Sequence, residues 1–374
     1  MSGIYIHIPF CRQACHYCDF HFSTSLKNKA AFLTALGKEI ILRKNYLASK
    51  EIHTLYFGGG TPSLLTQKEL MGLFDELHRH FLIAPGAEIT LEANPDDLTA
   101  GKIKELRQTP VNRLSIGIQS FIDRDLQWMN RAHSAEEALR SVKQAREAGF
   151  GNITIDLIYG IPAMTDEEWG KNLEQTFGLN VQHISAYCLT VEPRTALSHA
   201  VRRGKTKNVD DEKSAGQFEI MLAEMKKHDF IQYEISNFCK EGFHSRHNSS
   251  YWKGEHYLGL GPSAHSFDGA SRQWNVADNK RYIAALEKGE LDFTKEVLST
   301  EQRYNDYILT SLRTMWGTGL EHIRSAFGTP FHEHILAEAR KYLESGHLQE
   351  KENRLFLTDK GKLIADRIAS DLFF

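Results

Sequence analysis

Apolar and polar positions alternate in blocks along the first half of the chain, and these blocks predict strands and helices in turn. Short apolar runs predict strands at residues 3–8, 52–57, 88–93, 113–118, 152–158 and 181–187. Between them, apolar residues recur every three or four positions, which predicts helices at residues 30–47, 66–81, 99–108, 123–130, 134–148 and 166–177. Strands that alternate with helices predict a parallel sheet. Six such units are fewer than the eight of a closed barrel, so the pattern predicts a partial, open (β/α)6 barrel.

The pattern changes after about residue 200. Residues 202–213 are charged, which predicts an exposed connection before a helix near residues 214–228, and residues 230–267 mix short apolar runs with glycines and aromatic residues. From residue 300, two helices, a hairpin and a terminal helix predict a small, mostly helical, winged-helix-like module. We therefore expect three parts: a barrel, an extension with a connecting segment, and a C-terminal module, over residues 1–200, 201–299 and 300–374.

The composition excludes several classes of protein. The chain has 374 residues, of which 41% are hydrophobic and 25% charged, as in globular proteins. A formal net charge of −3 gives no bulk attraction to nucleic acid, and residues 301–374 hold 10 basic against 11 acidic side chains. No apolar run has the length of a membrane span, and the first residues lack the pattern of a secretory signal. We expect a cytoplasmic protein that binds no nucleic acid and is not an integral membrane protein.

Three of the five cysteines lie in one short segment directly after the first predicted strand. Cys11, Cys15 and Cys18 form a C-x3-C-x2-C pattern. Thiolates are ligands for iron–sulfur clusters and for zinc. A structural zinc site needs a fourth ligand, which His16 or His21 could supply. Three cysteines on a four-iron cluster instead leave one iron open for a further ligand, which is what a catalytic cluster needs.

Glycines and polar residues fall at the ends of the next strands. Gly58–Thr61 follows the second strand, Glu92 and Gln119 end the third and fourth, and Asp156 lies in the fifth. Functional residues of (β/α) barrels lie where strands end, and glycines let the backbone approach a ligand closely. A polar group in an apolar strand is unfavourable unless it is paired, so a helix cap or a loop hydrogen bond would also explain each of them. We favour one shared binding site, because successive strands end alike.

These motifs resemble the radical SAM family, whose signature is the C-x3-C-x2-C pattern with an aromatic residue, here Tyr17, before the last cysteine. In that family the cysteines hold a [4Fe-4S] cluster, and its open iron chelates S-adenosylmethionine (SAM). An electron from the cluster then breaks the sulfonium and gives a 5′-deoxyadenosyl radical. The resemblance implies both cofactors for this chain, with the protein positioning and shielding them.

The sequence resembles one branch of the family more narrowly, the oxygen-independent coproporphyrinogen III oxidase group. The matching stretches include Tyr5–Cys11, Asn130–His133 and Asp156–Pro162, and the resemblance extends over the C-terminal module. It implies cluster ligands at the three cysteines, which are Cys11, Cys15 and Cys18. It implies SAM-binding residues at Tyr5, Tyr17, Gly59, Gly60, Thr61, Glu92, Gln119, Arg131 and Asp156.

This branch contains two functional classes, the oxidases and the heme chaperones, which carry and deliver heme. The oxidases have a further cysteine two residues after the third one, where this chain has Phe20, and an N-terminal arm before the first strand, which here begins near residue 3. Residues 247–252 match the H-N-x-x-Y-W pattern of the heme chaperones. These features favour a heme chaperone. The alternatives are an oxygen-independent coproporphyrinogen III oxidase and a radical SAM enzyme that acts on another tetrapyrrole.

The chaperone hypothesis places heme at His247. Imidazole is a standard axial ligand of heme iron, and Tyr251 and Trp252 could stack on a porphyrin. The chain has 18 histidines, however, so one histidine is weak evidence, and both aromatic residues could equally be core. The hypothesis implies three kinds of partner: heme, heme-accepting proteins (those at the cytoplasmic membrane among them) and an electron donor. Cys188 follows the sixth predicted strand and could line the pocket, and Cys239 is explained as a small hydrophobic residue, with thiolate ligation of heme as the alternative.

Overall fold

The structure is a computed structural model that describes residues 2–374. Strands and helices alternate over the first half of the chain, as the sequence predicts. The strands are β1 (Gly3–Ile8), β2 (Glu51–Gly59), β3 (Leu82–Ala93), β4 (Arg113–Gln119), β5 (Ile153–Tyr159) and β6 (His183–Cys188). The helices are α1 (Lys29–Arg43), α2 (Gln67–His80), α3 (Ala100–Leu106), α4 (Asp123–Trp128), α5 (Ala135–Glu147), α6 (Asp166–Gly178) and α7 (Ala196–Arg202).

The remaining elements extend the sheet and cover it. They are α8 (Asp211–Lys227), β7 (Ile231–Glu234), β8 (Asn237–Cys239), α9 (Arg246–Trp252), β9 (Tyr257–Leu260), β10 (His265–Phe267), β11 (Ser271–Asn275), α10 (Asn279–Glu287) and β12 (Phe293–Val297). Within residues 2–374, the main sheet has twelve strands in the order β12-β11-β10-β9-β1-β2-β3-β4-β5-β6-β8-β7. Strands β1 to β6 are parallel neighbours, and the sheet ends at two edges without closing. The predicted open barrel is confirmed, and both of its edges carry added strands.

Strand alternation separates the core from the barrel interior. In β1, Ile4, Ile6 and Ile8 are buried in the apolar core, whereas Tyr5 and His7 occupy the other face. Successive side chains of a strand point to opposite faces, so the same pattern in β2 to β6 fills the outer layer with aliphatic residues. The inner face consequently carries the polar side chains, which gives the barrel a chemically active interior.

Several boundaries differ from the predicted ones. Strand β3 begins six residues before the predicted Glu88, because Leu82 and Ile83 already pair with the start of β2. The predicted connection over residues 202–213 is partly wrong: Asp210 caps α8, so the helix begins at Asp211. Helices α7, α9 and α10 were not predicted; α7 and α9 are only seven residues long, too short for a clear apolar period.

The C-terminal residues form a module around a second apolar cluster. The hairpin and the long helices follow the prediction, and one helix of eight residues, α12, adds to it. The elements are α11 (Thr300–Leu312), β13 (Thr318–Gly319), α12 (Leu320–Phe327), α13 (Thr329–Glu344), β14 (Leu348–Lys351), β15 (Arg354–Leu357), α14 (Asp359–Lys362) and α15 (Ala365–Asp371). Among the described residues, no helix has the combination of length and apolar character needed to cross a membrane.

Candidate functional site

A cavity of about 1120 Å³ opens at the carboxyl ends of the barrel strands. Its wall contains most of the residues that the sequence predicted for the site. They are Cys11, Cys15, Tyr17, Cys18, Gly59, Gly60, Thr61, Glu92, Gln119, Arg131 and Asp156. Tyr5 and His247 lie outside this wall. The carboxyl ends of parallel strands share one edge of the sheet, which is why residues so far apart in sequence meet here.

The cysteine loop begins where β1 ends, and backbone hydrogen bonds hold it there. Cys11 N donates to Ser23 O at 3.0 Å, and Ser23 N donates to Pro9 O at 2.9 Å, so the loop returns to its own start. Burial raises the pKa of the Cys11 thiol, and it raises the pKa of the Cys18 thiol to about 12. The thiols must therefore lose protons as they bind metal.

The two histidines considered as a fourth zinc ligand contact other groups. His16 Nδ1 lies 2.9 Å from Trp128 O, and His21 Nε2 lies 2.7 Å from Asn279 Oδ1. Neither His16 nor His21 lines the cavity, so the donor set there is three thiols without a histidine. This set fits a four-iron cluster with one open iron, and it does not fit a structural zinc site, which uses four protein ligands.

Gly60 allows the end of β2 to lie directly against the cysteine loop. Gly60 N donates to Ile8 O at 2.9 Å. A Cβ atom at this position would lie 2.6 Å from Phe10 O, which is closer than any side chain tolerates. Gly59 beside it has φ +105°, in the region that favours glycine. The glycines therefore allow the end of β2 to pack closely against the cysteine loop, and they also let the backbone approach a ligand.

Glu92 ends β3 with its carboxylate at the cavity. Tyr56 OH donates to Oε1 at 2.7 Å, and Gly59 N donates to Oε2 at 3.1 Å. Burial, assisted by the nearby charge of Asp156, raises the pKa of Glu92 to about 7. Burial likewise raises the pKa of Asp156 to about 6. Two neighbouring carboxyl groups with raised pKa values can accept hydrogen bonds from a cationic or hydroxyl-bearing ligand.

Arg131 connects the cysteine loop to the strand ends. Its Nη1 donates to Cys15 Sγ at 3.3 Å, and its Nη2 donates to Asn94 Oδ1 and to Gly117 O, both at 2.7 Å. Its Nε is buried without a hydrogen-bond partner. An unpaired buried donor is unfavourable, so a bound anionic group would stabilise this arrangement. The position fits a cluster with its SAM carboxylate.

Asn94 is a site residue that sequence reasoning did not assign. It accepts from Arg131, and its Nδ2 donates to Thr61 Oγ1 at 3.1 Å, so it links two predicted residues. The sequence could have indicated it, because Asn94 lies two positions after Glu92. Side chains two positions apart in an extended segment lie on the same face.

Gln119 stands at a backbone irregularity. Its φ is +69°, unusual for a residue with a side chain, and the pairing of β4 with β5 shifts between Gly117 and Gln119. Such strain concentrates at functional sites. The bulge turns the Gln119 side chain toward the cavity.

The structure places His247 near the opposite end of the barrel, inside α9. Its Nδ1 lies 2.8 Å from Thr54 Oγ1, its Nε2 lies 2.8 Å from Tyr251 OH, and the residue is 1% exposed. Its ring stacks on Tyr56 at 5.0 Å, and Tyr5 packs beside that pair. Both ring nitrogens are occupied, so the imidazole does not fit an axial heme ligand in this arrangement.

Known sequence families match both ends of the chain. The model of the Radical SAM superfamily matches residues 5–175, and that of the HemN C-terminal domain matches residues 298–364. The open barrel, the three-cysteine loop and these matches define a radical SAM protein. Membership in this class implies a [4Fe-4S] cluster and SAM.

Two bacterial relatives match nearly the full chain. A protein named heme chaperone HemW from Bacillus subtilis is 34% identical over 373 residues, covering 98% of each chain. Another of that name from Mycobacterium tuberculosis is 36% identical over 375 residues, covering 99% of this chain and 94% of its own. The chain belongs to the HemW family.

The fold is also found in a solved structure. Escherichia coli coproporphyrinogen III oxidase (HemN), described as a radical SAM enzyme, matches with a TM-score of 0.86, 100% coverage of this chain and 90% of its own. The identity is 24%, so this similarity establishes the fold alone.

Proposed function

We propose that this protein is a heme chaperone that holds a [4Fe-4S] cluster and SAM, binds heme and delivers it to heme-accepting proteins. One observation carries the proposal: relatives named heme chaperone HemW match the barrel and the C-terminal module together, over 98–99% of this chain. A match to the barrel alone would support binding of the cofactors, but it would not support the chaperone function.

The cavity residues divide into two groups. Cys11, Cys15 and Cys18 would hold the cluster, and a cluster with bound SAM can supply the electron that cleaves the sulfonium. Arg131 neutralises the thiolate of Cys15 and offers its free Nε to the SAM carboxylate. The carboxylates of Glu92 and Asp156 accept hydrogen bonds, and the glycines of β2 leave room for the ligand. Thr61, Gln119 and Tyr17 complete the proposed SAM contacts.

Phe20 argues against the oxidase alternative. It occupies the position of the additional oxidase cysteine, lines the cavity and is 68% exposed there. A phenyl ring supplies neither a metal ligand nor a reactive thiol. Sustained turnover of coproporphyrinogen III by the cluster-loaded protein would contradict the chaperone proposal.

The proposal keeps His247 as the heme ligand. For His247 to bind heme iron, Tyr251 OH must leave Nε2 of His247 and α9 must move. The experiment is an anaerobic heme titration of the cluster-reconstituted protein, followed by the Soret band. We expect saturation near one heme per chain. His247→Ala is compared with His199→Ala, which removes an exposed histidine of α7. Loss of the Soret band in His247→Ala alone would support ligation. No saturable binding by the wild type would overturn the function.

The cluster is tested separately with Cys15→Ala. We expect this variant to lose the visible cluster absorbance and to bind SAM weakly, because the cluster needs three thiolates. Cys239→Ala is the matched control, since Cys239 is buried beside β6 and does not line the cavity. A full cluster in Cys15→Ala would contradict the ligand assignment.

The proposal places the protein in the cytoplasm, where thiols stay reduced and can hold a cluster. Its partners would be heme-accepting proteins, including those at the cytoplasmic membrane, and an electron donor. Cell fractionation with detection of the native protein checks the compartment, and recovery in an extracytoplasmic fraction would contradict it.

A further inference from the structure

The cysteine loop has an inner side at the cavity and an outer side at the protein surface. Cys15, Tyr17 and Cys18 line the cavity, whereas His16 between them does not line it and is exposed. A molecule docked against the outer side would lie close to the proposed cluster without entering the space for SAM. The outer side is therefore a surface at which an external electron donor can approach the cluster while SAM is bound.

Two hydrogen-bonded connections tie the outer side of the loop to the segment that contains α7. Leu197 N, in α7, donates to His16 O at 2.8 Å. His16 Nδ1 lies 2.9 Å from Trp128 O, and the indole Nε1 of Trp128 donates to Thr206 Oγ1 at 3.2 Å. The stretch from α7 to Thr206 consequently packs beside the cysteine loop.

This segment carries a concentration of positive charge. Residues 193–209 contain five arginine and lysine side chains and no acidic one. All five are exposed, and none of their cationic groups has an ion-pair or hydrogen-bond partner among residues 2–374. They form what we call the basic patch: Arg194, Arg202, Arg203, Lys205 and Lys207. The whole chain has a formal net charge of −3, so the patch is a local feature.

Helix stabilisation explains only a small part of this charge. The helix dipole stabilises a cation near the C-terminus of a helix, and Arg202 lies in the last turn of α7. The effect falls off within that turn, so it does not account for Arg194, Lys205 or Lys207. Five cations without partners repel one another, and a negatively charged partner would relieve that repulsion.

The size and the chemistry of the patch suit a protein partner. α7 has seven residues and is about 10 Å long, so the cations at its two ends fit within a protein contact of about 800 Å² on each partner. None of the exposed large hydrophobic side chains belongs to residues 193–209. A membrane surface holds a protein through inserted apolar groups as well as through cations, so the patch favours an acidic protein over a lipid surface.

We propose that the basic patch is the docking surface for the electron donor, a small acidic redox protein that carries a flavin or an iron–sulfur cluster. One electron passes from the reduced donor to the cluster of this protein. The donor is oxidised by that electron, the cluster is reduced by it, and no bond or proton is transferred. The inference rests on the proposed function, which supplies the cluster, and it identifies the chemistry of the donor and the place at which it docks.

The test uses full-length, cluster-reconstituted protein under anaerobic conditions, with fully reduced flavodoxin, an acidic flavoprotein, as the donor. Stopped-flow absorbance follows the flavin semiquinone that forms when one electron leaves the hydroquinone. The two patch variants are Arg202→Gln/Arg203→Gln and Arg202→Glu/Arg203→Glu. Lys44→Gln/Lys50→Gln is the matched control, because it removes two exposed lysines that are unpaired within the described chain and lie at the end of α1 and before β2, away from the cysteine loop.

We expect Arg202→Gln/Arg203→Gln to slow reduction by flavodoxin about tenfold at low ionic strength, because electrostatic attraction accelerates encounter. Arg202→Glu/Arg203→Glu should slow it further, and Lys44→Gln/Lys50→Gln should react as the wild type does. Added salt should slow the wild type more than the patch variants, since salt screens exposed charges. Photoreduced 5-deazariboflavin, a small uncharged reductant that needs no docking surface, should reduce all four proteins equally, and SAM binding should be unchanged.

Failure of the docking surface and failure of the proposed function give different results. If 5-deazariboflavin reduces the cluster but flavodoxin reduces the wild type and both patch variants at one rate, the docking surface is overturned and the cluster assignment stands. The same holds if flavodoxin does not reduce the wild type. If the wild type acquires no cluster that 5-deazariboflavin reduces, the proposed function fails and the docking surface with it.

Vesicles of phosphatidylglycerol and phosphatidylcholine test the other class of partner. We expect the wild type not to sediment with them through the basic patch. Sedimentation of the wild type that is lost in Arg202→Gln/Arg203→Gln would identify a lipid-binding surface instead and overturn the proposal.

Discussion

At the scale of single residues, two carboxyl groups set the charge at the inner end of the cavity. Burial raises the pKa of Glu92 to about 7 and that of Asp156 to about 6, both above the ordinary range of carboxyl groups. The folded protein therefore keeps these protons to a higher pH than the unfolded chain does. The contribution of these two groups to the free energy of unfolding should then fall as the pH rises from about 4.5 to 7 and level off above that range.

The substitution Glu92→Gln removes the contribution of Glu92 to this pH dependence. In metal-free protein, we expect the free energy of unfolding of the wild type, relative to that of the variant, to fall by about 3 kcal/mol between pH 4.5 and 8. Urea unfolding at a series of pH values measures this. Glu147→Gln, at an exposed position of α5, is the control. Identical pH dependence in wild type and Glu92→Gln would show that Glu92 is ionised normally.

Gln119 combines a strained backbone with a side chain at the cavity. We expect Gln119→Ala to weaken SAM binding while the cluster stays intact, because only the ligand contact is removed. Gln119→Gly separates the effect of the side chain from that of the strained backbone. Like Gln119→Ala it lacks the amide side chain, but it also relieves about 1 kcal/mol of backbone strain. Equilibrium SAM binding and cluster absorbance measure the outcome. Loss of the cluster in both variants would mean that Gln119 has a folding role.

At the scale of elements, α9 depends on a carboxylate from the barrel. The helix has seven residues, too few for stability on its own. Glu88 accepts from His247 N at 2.9 Å and from Arg246 N at 3.0 Å, and Ser245 caps the same end. The far end of α9 reaches the C-terminal module, where Trp252 lies under Arg313 at 5.6 Å. The H-N-x-x-Y-W segment thus bridges the barrel interior and the cavity wall.

Replacement of Glu88 should loosen this bridge. We expect Glu88→Ala to cost about 3 kcal/mol, because the amides of His247 and Arg246 lose their acceptor and the buried Arg113 loses the carboxylate that lies 4.0 Å from its Nε. Hydrogen exchange should increase over residues 245–252 more than elsewhere. Glu51→Ala, at an exposed position of β2, controls for loss of a strand carboxylate. Unchanged protection of α9 would contradict the anchoring role.

At the scale of the whole molecule, one buried network joins the barrel to the extension β9–β12. Glu39 of α1 is 0% exposed. It accepts from Tyr282 OH at 2.6 Å, from Gly261 N at 2.7 Å and from Asn275 Nδ2 at 2.7 Å, and it pairs with Arg43. Each of the first three partners lies more than 200 residues away along the chain.

We expect Glu39→Ala to destabilise the protein by about 3–5 kcal/mol, because Arg43 would remain buried without its charge partner. Glu39→Gln keeps the shape and some hydrogen bonds, so its loss should be smaller. Denaturant unfolding followed by circular dichroism measures both. Equal stability of wild type and Glu39→Ala would show that the network does not hold the extension.

The candidate site could be predicted in part because its signals are local. The spacing of Cys11, Cys15 and Cys18 is a property of one loop, and Glu92 and Gln119 stand at strand ends that the apolar pattern already marks. A capping box is a local signal of the same kind, and Thr66 and Glu69 form one at the start of α2. The parallel order of the strands then brings these residues to one cavity.

The sequence by itself determined the order of strands and helices, the open barrel and the three-thiol loop, because each depends on neighbours within a few residues or on a regular period. Only the tertiary structure decided that His247 is enclosed by Thr54 and Tyr251, that Asn94 joins Arg131 to Thr61, and that the C-terminal module forms part of the cavity wall. These contacts join residues that are distant along the chain. They form only when packing has fixed the relative positions of whole elements, and no local pattern records that.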